Sequence, residues 1–112
     1  MKKHFYSHII EIDSVFVAMD LLDMEKHERE ELILIVESSV HHVVMDIVLS
    51  QLSEHDKKVL LSHMIEGRHD DIWDLLNAKT DHIETHIRKG VDKLKKDLHK
   101  DIARAKSKKH KK

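Results

Sequence analysis

Histidine has the most chemistry to offer in this chain, with twelve copies among 112 residues. His82 and His86 stand four apart, His4 and His8 repeat that spacing, and His41 and His42 are adjacent. On a helix, an i,i+4 pair can bring two imidazoles to one metal ion. A stable site needs a third or fourth ligand, but the chain has no Cys and no His-Glu-x-x-His motif, and nothing in the spacing assigns Asp81 or Glu84 to that role. His82 and His86 are therefore expected as exposed positions flanking Ile83 and Ile87, and no metal or other cofactor is expected. His41 and His42 point about 100° apart on a helix, which rules out a shared clamp. His41 is expected to be partly buried. Protonating all twelve would carry the formal charge from −1 toward +11, centred on the ordinary imidazole pKa near 6.5.

Other reactive constellations are missing. Ser38, Ser39, Ser50 and Ser62 fall inside helical patterns, not on a strained Gly-x-Ser-x-Gly elbow. Two glycines cannot build a phosphate-cradling loop. The acidic run Glu28–Glu31 reads as the first turns of a solvated helix. No nucleophile, base and orienting group can be named together, so no enzyme is expected. With no Cys, thiolate metal sites, disulfides and cysteine nucleophiles are excluded, and the composition fits a reducing, cytoplasmic setting.

Charge is the second chemical feature. Residues 1–80 carry 16 acidic against 8 basic side chains, a net of −8; residues 81–112 carry 12 basic against 5 acidic, a net of +7. A basic segment of this kind can bind nucleic-acid phosphates by displacing counterions. The candidate contacts are Lys93, Lys95, Lys96, Lys100, Arg104, Lys106, Lys108 and Lys109. Only Arg88 and Arg104 among the twelve are Arg, and no aromatic residue is present to stack on bases. Such binding would therefore be non-specific rather than base-reading.

The elements that must position these groups read as helices. Charged residues make up 37%, and there is no Pro, which suits long solvated helices better than turn-rich sheets. Phe5, Ile9, Ile12, Phe16 and Met19 step by 4, 3, 4 and 3, which predicts a first helix. Asp23 is a plausible N-cap for a second, running to Ser50 or Leu52, with Glu25 in its first turn. One face of it carries Ile33, Val36, Val40, Val43 and Ile47. Leu34, Met45, Leu49 and Leu52 lie well around the circumference, so this helix should be central to a bundle or shared with another protomer. Leu32–Leu52 approaches membrane-span length, but Glu37, His41, His42 and Asp46 interrupt it, and a central Asp alone costs about 2.5–3.5 kcal/mol in lipid. No membrane association is expected. Met1-Lys2-Lys3 resembles the start of a signal peptide, yet Glu11 and Asp13 break the apolar stretch behind it.

Ser53 with Asp56 signals the start of a third helix, which Gly67 ends. Asp70 is expected to cap a short fourth helix carrying Ile72, Trp73, Leu75 and Leu76, broken at Asn77–Thr80. Asp81 with Glu84 opens the last helix, where Ile83, Ile87, Val91, Leu94, Leu98, Ile102 and Ala105 form an 11-residue repeat on one straight stripe. Residues 106–112 contain no apolar side chain and are expected to form a flexible basic tail.

The order Leu52-Ser53-Glu54-x-Asp56, the Gly67 stop, the short helix ending at Leu75-Leu76 and the Lys-rich amphipathic helix resembles a family of small all-helical proteins. That family is a domain of unknown function found largely in candidate-phyla bacteria. The similarity covers roughly residues 20–105 and implies a helical fold, with no activity or site residues attached.

Together these observations predict one all-α domain over residues 1–105, a four- or five-helix bundle with the second helix at its centre and a long basic C-terminal helix. The expected role is a small structural or interaction protein, self-associating or binding a protein partner through apolar faces. Leu34, Met45, Leu49, Leu94, Leu98 and Ile102 are the interface candidates. The runner-up is a nucleic-acid or ribosome-associated accessory protein.

Overall fold

The computed structural model describes residues 4–110, with side chains through Ala105. Among the described residues all regular structure is helical: a 3-10 turn at Ser7–Ile9, then α1 (Asp13–Asp20), α2 (Lys26–Ser50), α3 (Glu54–Glu66), α4 (His69–Lys79) and α5 (Ile83–His110). α2 and α5 lie side by side, α1 packs on α5, and α3 and α4 pack as a pair.

The predicted first helix is divided. Phe5, Tyr6, Ile9 and Ile12 are all buried, and Ile10 is extended at φ −120°, ψ 154°. A continuous helix would spread Phe5, Tyr6, Ile9 and Ile12 over an arc of about 120°; the chain instead buries all four from a 3-10 turn followed by an extended link. The β-branched Ile9, Ile10 and Ile12 favour the extended link, and the carboxylate of Glu11 accepts from Ser14 N–H at 2.9 Å where α1 begins.

Helix starts follow the side chains that can satisfy free N–H groups. α2 is capped by Glu25, two residues past Asp23, because Glu25 and Glu28 form a reciprocal capping box, with Glu25 N–H donating to Glu28 at 3.4 Å. Ser53 caps α3, accepting from Asp56 N–H at 3.2 Å, and Gly67 ends it at φ 70°, as expected. α4 starts at His69, which puts Asp70 and Asp71 inside the positive first turn rather than at the cap. It runs through Asn77 to Lys79, where the Thr80 hydroxyl donates to Leu76 O at 2.6 Å. α5 begins at Ile83, after His82 at φ 55°, and continues to His110.

The core joins every element: Phe5, Tyr6, Ile9 and Ile12 from the first segment, Val15 and Met19, Val36, Val40, Val44 and Val48, Leu52, Leu60, Ile72 and Leu76, and Ile83, Ile87 and Val91. On α2 the fully buried stripe is Val36–Val40–Val44–Val48, while Val43 and Ile47 are half-buried against α5. Gly90 is the reason. A Cβ there would strike Ile47 Cδ1 and come within 3.2 Å of Val43 Cγ1, so the backbone of α5 sits directly on those side chains.

The molecule is a rod of 54 × 24 × 21 Å with a radius of gyration of 16.5 Å. A compact domain of this length would have about 13 Å. A rod gives each helix few neighbours, so α2 retains uncovered apolar surface. By length and composition α2 is also the one helix among the described residues apolar enough to cross a membrane, with mean hydropathy 1.8 over 18 residues. Glu37, His41, His42 and Asp46 lie along it.

Candidate interaction surfaces

The first polar cluster forms where the N-terminal segment crosses α2 and α4. Tyr6 is 2% exposed, and its Oη lies 2.7 Å from His41 Nδ1. With the imidazole proton on Nε2, the phenol donates this bond. His4 stacks on Tyr6 at 5.0 Å between ring centroids and stands 4.8 Å from His41. Burial, with the Glu37 carboxylate nearby, pushes the Tyr6 phenol up to about 12. Such a phenol stays protonated and serves as a fixed donor, not as an activated base or nucleophile. On the other side, Trp73 Nε1–H donates to Phe5 O at 2.8 Å, and His8 stands edge-on to the Trp73 ring. His4 and His8 thus meet different rings, Tyr6 and His41 for the one and Trp73 for the other, while both line one shallow pocket with Phe5 and His69. Beside the cluster lies a half-open cavity of about 210 Å³, lined by His4, Tyr6, Ser7, Glu11, Asp13 and Glu37 among others.

His82 and His86 are both exposed, with His82 ahead of the helix in a left-handed conformation. They belong to no group of three ligand-type side chains among the described residues. One such group does occur, at exposed Glu25, His27 and Glu28. It is accounted for by the α2 capping box and by the 3.4 Å approach of His27 Nδ1 to Glu25.

The apolar candidates separate into two kinds. Met45, Leu49, Leu94, Leu98 and Ile102 are half-buried and packed against the core. Leu34 is 64% exposed, and its neighbour Ile35, which the spacing did not single out, is 58% exposed. Leu34 and Met45 border an open groove of about 850 Å³ along α2, with Ser38, His41 and His42 between them. Val17 and Leu21 of α1, and Leu61 and Ile65 of α3, are further exposed apolar side chains.

The basic candidates also divide. Lys95 is only 20% exposed and binds Glu11 at 3.1 Å, tying α5 to the start of α1. That cation, with the Ser14 N–H as the larger influence, holds the Glu11 carboxyl below its ordinary range. Lys93, Lys96, Lys100 and Arg104 are exposed. The side chains of Lys106, Lys108 and Lys109 lie outside the described residues. Tyr6 is the residue that sequence reasoning missed here; its spacing of 35 from His41 leaves no local signal.

Comparison with protein-family models, characterised proteins and solved structures finds no match to this chain. The resemblance drawn from the cap positions therefore rests on those residues alone.

Proposed function

We propose that this is a small non-catalytic helical interaction protein, cytoplasmic and free of membrane, that self-associates through apolar helix faces. One observation carries the reading. α2 carries a long apolar stretch, yet only 22% of its 18-residue apolar window is buried, and Leu34 and Ile35 stand open on it. Monomeric proteins scatter single apolar residues over their surfaces, but adjacent ones beside an open groove point to a partner.

Magnitudes favour a weak complex. Burying a Leu or Ile side chain contributes roughly 1.5–3 kcal/mol, and association costs about 4–15 kcal/mol in lost freedom. Leu34 and Ile35 from two protomers barely offset that cost, so Met45 and the other groove residues must add to it. A micromolar dimer fits this balance better than an obligate one. Glu37, His41, His42 and Asp46 on α2 support the absence of a membrane.

Sedimentation equilibrium across about 0.1–50 µM, a range bracketing a dissociation free energy near 8 kcal/mol, provides the test. The mass should rise with concentration and should not fall as salt is raised. Leu34→Glu with Ile35→Glu should weaken association at least about tenfold (~1.4 kcal/mol) without lowering the melting temperature, because neither side chain is in the core. A monomer at every concentration would end this reading.

A further inference from the structure

Extending the basic candidates along α5 and removing those already engaged leaves a line of cations with no function so far. Lys89, Lys93, Lys96, Lys100 and Arg104 are all exposed. Among the described residues none of the five has a carboxylate within ion-pair distance, whereas Lys95 and Arg88 have Glu11 and Glu84. Their spacings of 4, 3, 4 and 4 confine them to an arc of about 80° and run them about 22 Å along the axis. The apolar stripe Ile87–Val91–Leu94–Leu98 lies on the far side and is packed against the core. We infer that this line is a docking surface for the phosphate backbone of double-stranded nucleic acid, bound without reading its bases.

Three observations select that partner. A straight row of unpaired cations matches a regular polyanion, whose duplex carries one charge per about 1.7 Å of axis. Four of the five are Lys, point charges that hold phosphates without the planar fork used to read guanine. A membrane-surface helix would need its apolar face free to enter the headgroup region. In α5 that face is already spent on the core. Asp97 and Asp101 flank the line and are exposed, so the affinity belongs in the weak, non-specific range of about 10⁻⁴–10⁻⁶ M at physiological salt.

The surface goes beyond the self-association reading and does not depend on it, since Leu34 and Ile35 lie on α2. The experiment uses the full chain and labelled random-sequence DNA and RNA duplexes of about 20 base pairs, ample for a line this long. Five phosphate contacts predict a salt slope of about −4.5, a loss of about 500-fold in affinity between 50 and 200 mM salt. Replacing Lys89, Lys93, Lys96, Lys100 and Arg104 by Gln, a good helix former, should reduce the slope by about 4 while circular dichroism is unchanged. Replacing Lys106, Lys108, Lys109, Lys111 and Lys112 by Gln removes equal charge and should leave the line's share of the slope. If the fivefold variant misfolds, Lys96→Gln with Lys100→Gln should still reduce the slope by about 1.8. The inference is overturned if the line variant binds within twofold of the native chain or if the tail variant alone abolishes binding. It is equally overturned if no duplex binds at the lower salt, or if phosphatidylserine–phosphatidylcholine vesicles bind and duplexes do not.

Discussion

Tyr6 shows how one side chain is given a role by its surroundings. It is the only tyrosine in the chain, so its ionisation can be followed directly. Burial and the nearby Glu37 charge both oppose the phenolate, and the Tyr6 Oη lies 2.7 Å from His41 Nδ1. The folded phenol therefore titrates near 12 against about 10 when unfolded. A raised acid stabilises the fold fully below the unfolded pKa, and that contribution fades as the pH climbs from about 10 to about 12. Over that window the native chain should lose roughly 2–3 kcal/mol more than a Tyr6→Phe variant in urea unfolding. Tyrosinate absorbance with an ordinary midpoint near 10 would show that the phenol is not held this way.

At the scale of elements, Gly90 governs how α2 and α5 meet. Glycine inside a helix costs about 1 kcal/mol against alanine, so its presence needs a compensating gain. That gain is the close seating of α5 on Val43 and Ile47. Gly90→Leu should destabilise the chain by about 1–3 kcal/mol through overpacking. Gly90→Ala should stay within about 1 kcal/mol of the native chain, because Ile47 Cδ1 is a flexible tip that can turn aside while the helix gains propensity. Chemical denaturation of the two variants checks both, and equal stability of the Leu variant would mean that α2 and α5 are not in such close contact. Gly67 has the opposite logic: nothing lies near it, and only its φ of 70° calls for glycine.

For the molecule as a whole, α5 is the spine. Ile83, Ile87 and Val91 are buried, and Leu94, Leu98 and Ile102 pack on the core. Lys95 and His99 also reach α1, through Glu11 at 3.1 Å and Ser14 at 3.5 Å. A chain ending at Thr80 loses three fully buried side chains at roughly 1.5–3 kcal/mol each and uncovers the valine stripe of α2. That exceeds much of the 5–15 kcal/mol by which a domain is normally stable. The shortened chain should show no cooperative unfolding transition by circular dichroism. Cooperative melting would instead mean that the opposed charges of residues 1–80 and 81–112 belong to separable units.

What the sequence determined by itself was local: the helical class, the Ser53 and Gly67 boundaries of α3, and the single stripe of α5. Those follow from periodicity and capping, which act within a few residues. It also led to Leu34 on the uncovered side of α2, since that residue lies far around the helix from the valines. Tertiary structure alone decided the rest. It bent the Phe5–Met19 stripe into a turn, an extended link and a short helix, with Phe5 and Tyr6 both buried. It moved the α2 core face to Val44 and Val48, paired Lys95 with Glu11, and brought Tyr6 to His41. Each of these turns on contacts between residues distant in sequence, which no local pattern encodes.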